Sequence, residues 1–388
     1  MAFAAPPPPK SALGYHRILS PNAGIRVSPL CLGAMNFGDS WSEFMGKCDK
    51  KTTYEILDYF YEQGGNFIDT ANNYQSEESE QWIGDWMRER GVRDQMVIAT
   101  KFTTNYRQGK PEQLKTNFQG NHNKSLRLSV EASLKKMQTD YIDLLYLHWW
   151  DFSTSIPELM QNLDALVKAG KILYIGISDT PAWIVSKANQ YARDHALTTF
   201  SVYQGRWSAS DRDFEREILP MCQDEGMALA PWGALGGGHF KTEEQFKAVA
   251  EGSAEGRKMW GPTDKQRAIS KVLEKIAATK QPGTHLTGVA LAYVMHKSPY
   301  VFPIVGGRKK EHLEGNIAAL SIELSPDEIR EIEDAVEFDV GFPYSMLFEM
   351  FGQQKFRTDM STGDIALVKA AGSIDTVPKP QPIKPRKA

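Results

Sequence analysis

The sequence is poor in cysteine, in excess charge of either sign and in long apolar runs. Its 388 residues include only three cysteines, Cys31, Cys48 and Cys222, and this odd, widely spaced set argues against a disulfide framework and against a cysteine-based zinc site. A net charge of −3 gives no electrostatic reason to bind nucleic acid or an anionic membrane. No stretch reaches the roughly 18 apolar residues of a membrane helix, and residues 1–9 lack a signal-peptide pattern. We therefore expect a cytoplasmic protein with reduced thiols.

The chain does contain a regular middle between two tails. Its length allows two or three domains, but a single α/β barrel of this size is equally allowed. Short apolar runs alternate with helical patterns between a proline-rich start and a tail that begins near Gly341. We predict one domain over residues 1–388, with a core at about 14–340 and a tail over 341–388. Residues 376–382 are typical of extended or disordered chain.

Eight apolar runs have the features of buried strands. Their apolar residues are consecutive rather than alternating, which indicates burial on both faces and is typical of a parallel sheet covered by helices. The runs are 29–32, 66–69, 96–100, 142–147, 172–177, 200–203, 227–230 and 301–305. A helical segment is available after each one. Strand followed by helix, eight times over, predicts a (β/α)8 TIM barrel.

Other segments predict how this barrel is completed. Helices are expected over 51–63, 125–138, 156–169 and 181–194, the last two introduced by Ser or Thr with a proline in the first turn. Left-handed caps are expected at Gly64, Gly91, Gly170 and Gly226. Residues 16–27 predict a β-hairpin that plugs the barrel floor. Residues 241–281 form a polar insertion whose helices would be a lid or an outer decoration.

Polar residues end successive predicted strands, which is where active sites of such barrels lie. They are Asp69 with nearby Tyr74, Lys101, His148, Ser178 with Asp179, and Gln204. Taken singly, the aspartate could cap a helix, the histidine could be structural and the tyrosine could be a loop aromatic. A lysine that ends a buried strand needs a partner or a function. Together these residues predict that a carboxylate, a phenol, an ammonium and an imidazole share one site.

The segment GGNFIDTANNY at residues 64–74, with Lys101 and His148, resembles the catalytic tetrad region of the aldo-keto reductases. The resemblance covers about residues 14–340 and continues through 176–179, 204, 231–238 and 304–309. Within that family, the pattern is most similar to the fungal aryl-alcohol dehydrogenase and norsolorinic acid reductase group. It implies an NADPH-dependent oxidoreductase that reduces an aryl aldehyde or aryl ketone, such as a polyketide intermediate of secondary metabolism, to the alcohol.

The resemblance makes Tyr74 the general acid, and elementary electrostatics supports the role. Lowering a phenol pKa of about 10 by two to three units takes about 3 to 4 kcal/mol. An ammonium about 4 Å away supplies roughly 4 kcal/mol at an effective dielectric near 20. We therefore expect Lys101 to lower the pKa of Tyr74 and Asp69 to hold Lys101 in place. His148 is expected to orient the substrate carbonyl and to stabilise the developing alkoxide.

The cofactor site is expected away from any Rossmann motif, because no G-x-G-x-x-G follows a strand. Barrels bind phosphate at the loops after strands seven and eight, and Gly306-Gly307 before a helix predicted over 311–320 fits that pattern. By resemblance, Arg308 and Lys309 face the 2′-phosphate of NADPH, where a solvated basic run is the alternative. The remaining cofactor residues implied by the resemblance are His312 and Asn316 at the adenine, Gly233, Leu235, Gly236 and Lys241 at the pyrophosphate, Trp232 stacked on the nicotinamide, and Ser178, Asp179 and Gln204 at the carboxamide. Asp69 is also expected to contact the cofactor.

Some assignments stay open at the level of sequence. Asp179 stands where many family members have asparagine, so it could instead only cap the helix before Pro181. Aromatic residues expected to line the mouth suit a flat aromatic carbonyl, although packing is the alternative for each. They are Trp41, Phe102, Tyr106, Trp149 and Trp150. A monomer or weak homo-oligomer is expected.

Two other classes of protein were weighed. A non-catalytic NADP(H)-binding regulatory barrel is disfavoured, because all four tetrad residues are present. A metal-dependent hydrolase is disfavoured because no strand end supplies ligands at metal-binding spacing.

Overall fold

The computed structural model describes residues 7–108, 114–250, 262–350, 354–372 and 374–386. An antiparallel hairpin, β1 (Arg17–Ser20) and β2 (Ala23–Val27), precedes eight parallel strands. These are β3 (Cys31–Gly33), β4 (Phe67–Asp69), β5 (Val97–Phe102), β6 (Ile142–Leu147), β7 (Ile172–Ser178), β8 (Val202–Arg206), β9 (Ala228–Trp232) and β10 (Ile304–Val305). From β3 to β9 each strand pairs with the next along the chain, and β10 pairs with β3. A parallel bridge between Leu229 and Val301 closes the ring, so the predicted (β/α)8 barrel is confirmed.

Helices connect the strands and cover the outside of the sheet. They are α1 (Ser42–Met45), α2 (Lys50–Glu62), α3 (Glu78–Arg90), α4 (Asn123–Met137), α5 (Ile156–Lys168), α6 (Ala182–Asp194), α7 (Ile218–Asp224), α8 (Glu243–Ala250), α9 (Asp264–Ala278), α10 (Leu286–His296), α11 (Lys310–Ala318), α12 (Pro326–Asp334), α13 (Tyr344–Glu349) and α14 (Ala366–Lys369). The four helices predicted at 51–63, 125–138, 156–169 and 181–194 are confirmed as α2, α4, α5 and α6.

The ends of the helices follow the predicted chemistry with one exception. All four glycines expected to cap helices have positive φ, as a left-handed cap requires. Ser155 caps α5 by accepting a hydrogen bond from the Glu158 N–H at 3.2 Å. The equivalent prediction for α6 was wrong. The Thr180 hydroxyl donates instead to the Ser178 carbonyl at 2.8 Å, and no side chain caps α6.

The hairpin closes the amino-terminal end of the barrel. Its buried residues Leu19, Ala23 and Val27 belong to one apolar cluster with interior residues of the strands, including Phe67 and Phe302. A second and larger cluster fills the space between the sheet and the helices. Because the floor is sealed by apolar side chains, the carboxyl ends of the strands form the mouth of this barrel.

The insertion and the tail lie on the outside of the barrel. Helix α9 buries Ile269, Leu273 and Ile276 in the main core, so this part of the insertion is an outer layer and not a lid; residues 251–261 lie outside the described residues. The tail is anchored to α12 by the ion pair between Arg357 and Glu333 at 2.6 Å. Further along, Arg386 lies over the ring of Tyr15, 4.0 Å from its centroid.

The cysteines and the helices can be compared with what the sequence predicted for thiols and membrane spans. Cys31, Cys48 and Cys222 are buried free thiols, and burial raises the pKa of the Cys31 and Cys222 thiols well above its ordinary value. Among the helices of the described residues, none combines the length and apolarity needed to cross a membrane.

Candidate active site

The mouth of the barrel collects the polar residues that end its strands. In a strand, successive side chains point to opposite faces. Along β5, Val97 and Ala99 belong to the interior cluster, whereas Ile98 and Phe102 belong to the core beneath the helices. Lys101 shares the inward parity of Ala99, and so its ammonium lies inside the barrel.

Lys101 is the centre of a buried polar chain. Its side chain is 0% exposed, and its ammonium donates to Asp69 Oδ1 at 2.5 Å and to the Thr70 carbonyl at 2.8 Å. The Tyr74 hydroxyl lies 3.5 Å from the same ammonium. Gln204 Nε2 donates to the other carboxylate oxygen of Asp69 at 2.9 Å. The expected partner of Lys101 is therefore Asp69, and the three groups form one connected site with Tyr74.

The pKa of Tyr74 in this buried group of side chains differs from the expectation. Burial raises the pKa of the Tyr74 phenol, and the Lys101 ammonium opposes this shift without cancelling it. The predicted lowering was wrong because it considered the ammonium and left out the loss of hydration. Burial also disfavours the ammonium of Lys101, but Asp69 and Tyr74 outweigh it, and the pKa of Lys101 is raised. Lys101 is therefore charged and Tyr74 protonated at neutral pH.

The segment that carries Tyr74 is held by residues that the sequence did not single out. Gln75, Ser76 and Glu77 all have positive φ, which costs backbone energy for residues other than glycine. The buried Gln75 side chain donates to the Met35 carbonyl at 2.9 Å and accepts from the Trp41 N–H at 2.7 Å. These bonds hold Trp41 near Tyr74, with ring centroids 6.2 Å apart.

A second buried lysine supports the same segment from behind. Lys136 of α4 donates to the Asn72 carbonyl at 2.8 Å. Its ammonium also pairs with Glu80 at 2.6 Å and with Glu77 at 3.2 Å. The only signal available in the sequence was a lysine in a helix pattern, which is typical of an exposed helix face. Its partners come from the loop after β4 and from the start of α3, so only the fold could reveal these contacts.

His148 lies beside Tyr74 in a neutral form. The two ring centroids are 5.9 Å apart in an edge-to-face arrangement. Burial, together with the nearby Lys101 charge, lowers the pKa of His148 to about 3. The imidazole therefore carries no charge at neutral pH, and it can donate a hydrogen bond but not serve as a proton reservoir. Its Nδ1 lies 3.3 Å from the Thr104 hydroxyl.

Ser178, Asp179 and Trp232 lie across the mouth from this group. Asp179 has a φ of +40°, and its Oδ1 accepts from Trp232 Nε1 at 3.3 Å. Burial raises the pKa of Asp179 although this hydrogen bond opposes the shift. Asp179 does not cap α6, so the alternative role considered for it was wrong. The Ser178 hydroxyl is buried, and its hydrogen bond to the neighbouring Asp179 also opposes the rise in the pKa of that carboxyl.

The predicted phosphate loops follow two adjacent strands. After β9, residues 233–238 include a short 3-10 turn at Gly236–Gly238 with Leu235 before it, and the Lys241 N–H donates to Ser270 Oγ at 3.3 Å. After β10, Gly306, Gly307 and Arg308 lead to Lys309 at the N-cap of α11. His312 is exposed on the first turn of α11, and Asn316 is buried on its next turn.

The Arg308 guanidinium rests against the backbone of the loop that follows β3. A Cβ atom added to Gly46 would lie 1.8 Å from Arg308 Nη1, so only glycine admits the guanidinium there. Gly46 also has a φ of +80°, which glycine adopts without strain. The contact between Gly46 and Arg308 could not be predicted from the sequence. The two residues are more than two hundred and fifty positions apart, and no local pattern near Gly46 indicates the contact.

Only some of the predicted aromatic residues face the mouth. Trp41 lies beside Tyr74, and Trp149 is 38% exposed. Phe102 is a correction: it is fully buried beneath the helices because it has the opposite parity to Lys101. Tyr106 is also buried and bonds the Leu128 carbonyl at 3.3 Å. Trp150 is half-buried and packs on the main core.

Two exposed aromatics near the strand ends were missed by the sequence argument. Phe152, in the loop after β6, is 71% exposed, and Trp183, in the first turn of α6, is 64% exposed. Among the residues that the structure describes, no three or more His, Cys, Asp or Glu side chains are grouped so that they could hold a metal ion.

Comparisons with known proteins agree with this geometry. Residues 29–337 match the Aldo/keto reductase family. A norsolorinic acid reductase of Emericella nidulans is 59% identical, over 99% of this chain and 98% of its own length. A putative aryl-alcohol dehydrogenase of Saccharomyces cerevisiae is 53% identical over 89% of this chain and 93% of its own. An aryl-alcohol dehydrogenase of Phanerodontia chrysosporium, named with NADP(+), is 47% identical over 99% of both chains.

These matches span nearly all of the barrel and include its mouth. They confirm the resemblance that the tetrad region suggested and the prediction that the protein is an enzyme. The chain belongs to the aldo/keto reductase family.

Proposed function

We propose that this enzyme uses NADPH to reduce an aryl aldehyde or aryl ketone to the alcohol, with Tyr74 as the proton donor. The observation that carries the proposal is the buried chain from Asp69 through Lys101 to Tyr74, with neutral His148 beside the phenol. A charged ammonium next to a protonated phenol is the arrangement that a general acid needs, because it stabilises the phenolate left after proton transfer.

Each of these residues has a separate role in the proposed reduction. The nicotinamide cofactor, when bound, supplies the hydride. Tyr74 gives its proton to the carbonyl oxygen, and Lys101 stabilises the resulting phenolate across the 3.5 Å that separates the two groups. His148 donates a hydrogen bond to the same oxygen and remains neutral throughout, because its pKa is about 3. Asp69 keeps Lys101 in place and balances its charge.

Use of NADPH is supported by the residues after β10. Arg308 offers a planar fork of donors that matches a phosphate, and Lys309 adds a second positive charge at the start of α11. The buried hydroxyl of Ser178, at the end of β7, fits a carboxamide. The name of the Phanerodontia chrysosporium relative, which includes NADP(+), agrees with this choice of cofactor.

An aromatic substrate is supported by the surfaces around the mouth. Trp41, Trp149, Phe152 and Trp183 offer partly exposed rings near the strand ends, and flat apolar walls favour flat aromatic ligands. The names of the relatives include both aryl alcohols and norsolorinic acid. We therefore place polyketide-derived aryl ketones beside simple benzaldehydes among the candidate substrates.

A panel of carbonyl compounds tests the proposed function directly. Purified protein with NADPH is expected to consume the cofactor with benzaldehydes or with polyketide aryl ketones, and more slowly with aliphatic aldehydes of similar size. The measurement is the loss of absorbance of reduced nicotinamide. If no aryl carbonyl supports consumption while NADPH still binds, the proposal fails and a non-catalytic NADP(H)-binding barrel takes its place.

Arg308 is expected to decide the preference for NADPH over NADH. Replacing Arg308 with alanine should weaken NADPH binding by about ten- to a hundred-fold, because a charge-assisted hydrogen bond is worth roughly 1.5–3 kcal/mol. NADH binding should change by less than about two-fold, since NADH lacks the 2′-phosphate. Titration of protein fluorescence with each cofactor measures both. Equal losses for the two cofactors would show that Arg308 does not contact that phosphate.

Gly46 offers a variant that moves the guanidinium without removing its charge. Gly46→Ala would force Arg308 from its seat, because the new Cβ would overlap Nη1. It should therefore reproduce part of the loss for NADPH and leave NADH nearly unchanged. Gly91→Ala controls for a positive φ without a clash, since a Cβ there meets nothing within 4 Å. Thermal unfolding of Gly46→Ala detects the added backbone strain, because ψ is 160° at Gly46 and 34° at Gly91. An unchanged cofactor preference in Gly46→Ala would mean that this seat is not used with cofactor bound.

A further inference from the structure

The tautomer of His148 decides what it offers to a substrate. A neutral imidazole has one N–H donor and one acceptor nitrogen, and the bond made by one nitrogen determines the role of the other. Because the pKa of His148 is about 3, the ring is neutral and must adopt one of the two tautomers. Only the tautomer with its proton on the nitrogen that faces the substrate can donate to a carbonyl oxygen.

Thr104 is the side chain that bonds this ring. The loop after β5 places its hydroxyl 3.3 Å from His148 Nδ1. The same hydroxyl accepts a hydrogen bond from Trp149 Nε1 at 3.0 Å. The indole nitrogen can only donate, so the direction of that second bond is certain. Within the described residues, no protein group bonds His148 Nε2.

The second bond favours one direction for the first. A hydroxyl has one proton and two acceptor lone pairs. With one lone pair of Thr104 taken by Trp149, His148 Nδ1 is the acceptor that the described residues place next to the Thr104 hydroxyl proton. The opposite arrangement would aim two N–H groups at one oxygen and leave the hydroxyl proton without that acceptor. A bond accepted by a hydroxyl also strengthens the bond that it donates.

We propose that Thr104, itself held by Trp149, is a positioning residue that donates to His148 Nδ1 and thereby keeps the ring proton on Nε2 for the substrate carbonyl. The backbone of His148 is fixed separately, since its N–H donates to the Phe102 carbonyl at 3.1 Å. Trp149, expected from the sequence to be a substrate wall, thus acts through its indole N–H. The role in catalysis rests on the proposed carbonyl reduction, whereas the tautomer itself does not.

Substitutions at Thr104 separate the hydroxyl from the shape of the side chain. Thr104→Val keeps the shape and removes the hydroxyl, and Thr104→Ser keeps the hydroxyl. Nitrogen-15 NMR of histidine-labelled full-length protein, with the His148 signals assigned by their absence in His148→Gln, reports which ring nitrogen carries the proton. We expect the Nε2–H tautomer in the unsubstituted protein and in Thr104→Ser, and a mixture or the Nδ1–H tautomer in Thr104→Val.

Kinetics with an aromatic aldehyde provide the second measurement. We expect kcat of Thr104→Val to fall by about ten- to a hundred-fold, which is less than the loss of a whole oxyanion donor. KM and NADPH affinity should change little, and Thr104→Ser should restore kcat. Trp149→Phe should show a smaller loss of kcat and partial loss of the single tautomer. Thermal unfolding of each variant identifies any that is poorly folded.

The outcomes separate the two proposals. An Nδ1–H tautomer in the unsubstituted protein, or a Thr104→Val variant that keeps both the Nε2–H tautomer and full kcat, would overturn the role of Thr104. If no aryl carbonyl is reduced by the unsubstituted protein, the proposed function fails, and the NMR spectra alone still decide whether Thr104 sets the tautomer.

Discussion

Replacing Tyr74 with phenylalanine is expected to lower kcat by about 10²- to 10⁴-fold and to leave NADPH affinity within about two-fold. A positioned general acid contributes a factor of this size. The substitution removes only the hydroxyl that lies 3.5 Å from Lys101. The ring remains to pack against Trp41 and His148, so the shape of the mouth should persist.

The measurement is the single-turnover rate of NADPH oxidation with the best aryl carbonyl, together with a fluorescence titration of NADPH. Tyr106→Phe is the matched control, since Tyr106 is a buried tyrosine of a neighbouring loop whose hydroxyl bonds a backbone carbonyl of α4. It should retain turnover. A Tyr74→Phe variant with more than about a tenth of the original rate would show that another group delivers the proton.

Replacing Lys101 with methionine is expected to lower both turnover and stability. Turnover falls because the phenolate of Tyr74 loses its ammonium partner. Stability falls by about 3–5 kcal/mol, the usual cost of removing one partner of a buried ion pair. Lys101 is 0% exposed and Asp69 is 5% exposed, so the remaining carboxylate is left without water and retains only the bond from Gln204.

A second substitution separates the two effects of Lys101. Adding Asp69→Asn removes the unpaired charge, and the double variant should recover part of the lost free energy of unfolding. It should recover no turnover, because the ammonium is still absent. Urea unfolding and single-turnover kinetics on both variants check this. If the Lys101→Met enzyme is as stable as the unsubstituted one, or keeps full turnover, the roles given to the buried Asp69, Lys101 and Tyr74 are wrong.

The fold was readable from the sequence because it depends on local patterns. Continuous apolar runs indicate strands that are buried on both faces, and eight of them with helices between leave few alternatives to a closed barrel. The hairpin and the helix-capping glycines were predictable for the same reason. The strand over 301–305 was longer in prediction than the two residues of β10, since Pro303 interrupts the run and has no N–H to donate.

The composition of the active site could be predicted in part from the sequence. The spacing of Asp69 and Tyr74, and the placement of Lys101 and His148 at strand ends, put the four groups at one mouth. Strand alternation with Lys101 facing inward already places Phe102 on the helix side, so this correction could have come from the sequence. The sequence could not show that burial raises the pKa of Tyr74, because hydration depends on all the chain around a group.

The sequence by itself thus determined the barrel, its mouth and the chemical groups that meet there. Only the tertiary structure decided how these groups are partnered: Thr104 at His148, Lys136 behind the Tyr74 segment, and Gly46 beneath Arg308. The physical reason is distance along the chain. Strand and helix patterns repeat within a few residues, whereas each of these contacts joins side chains from separate loops and helices, brought together only when the barrel closes.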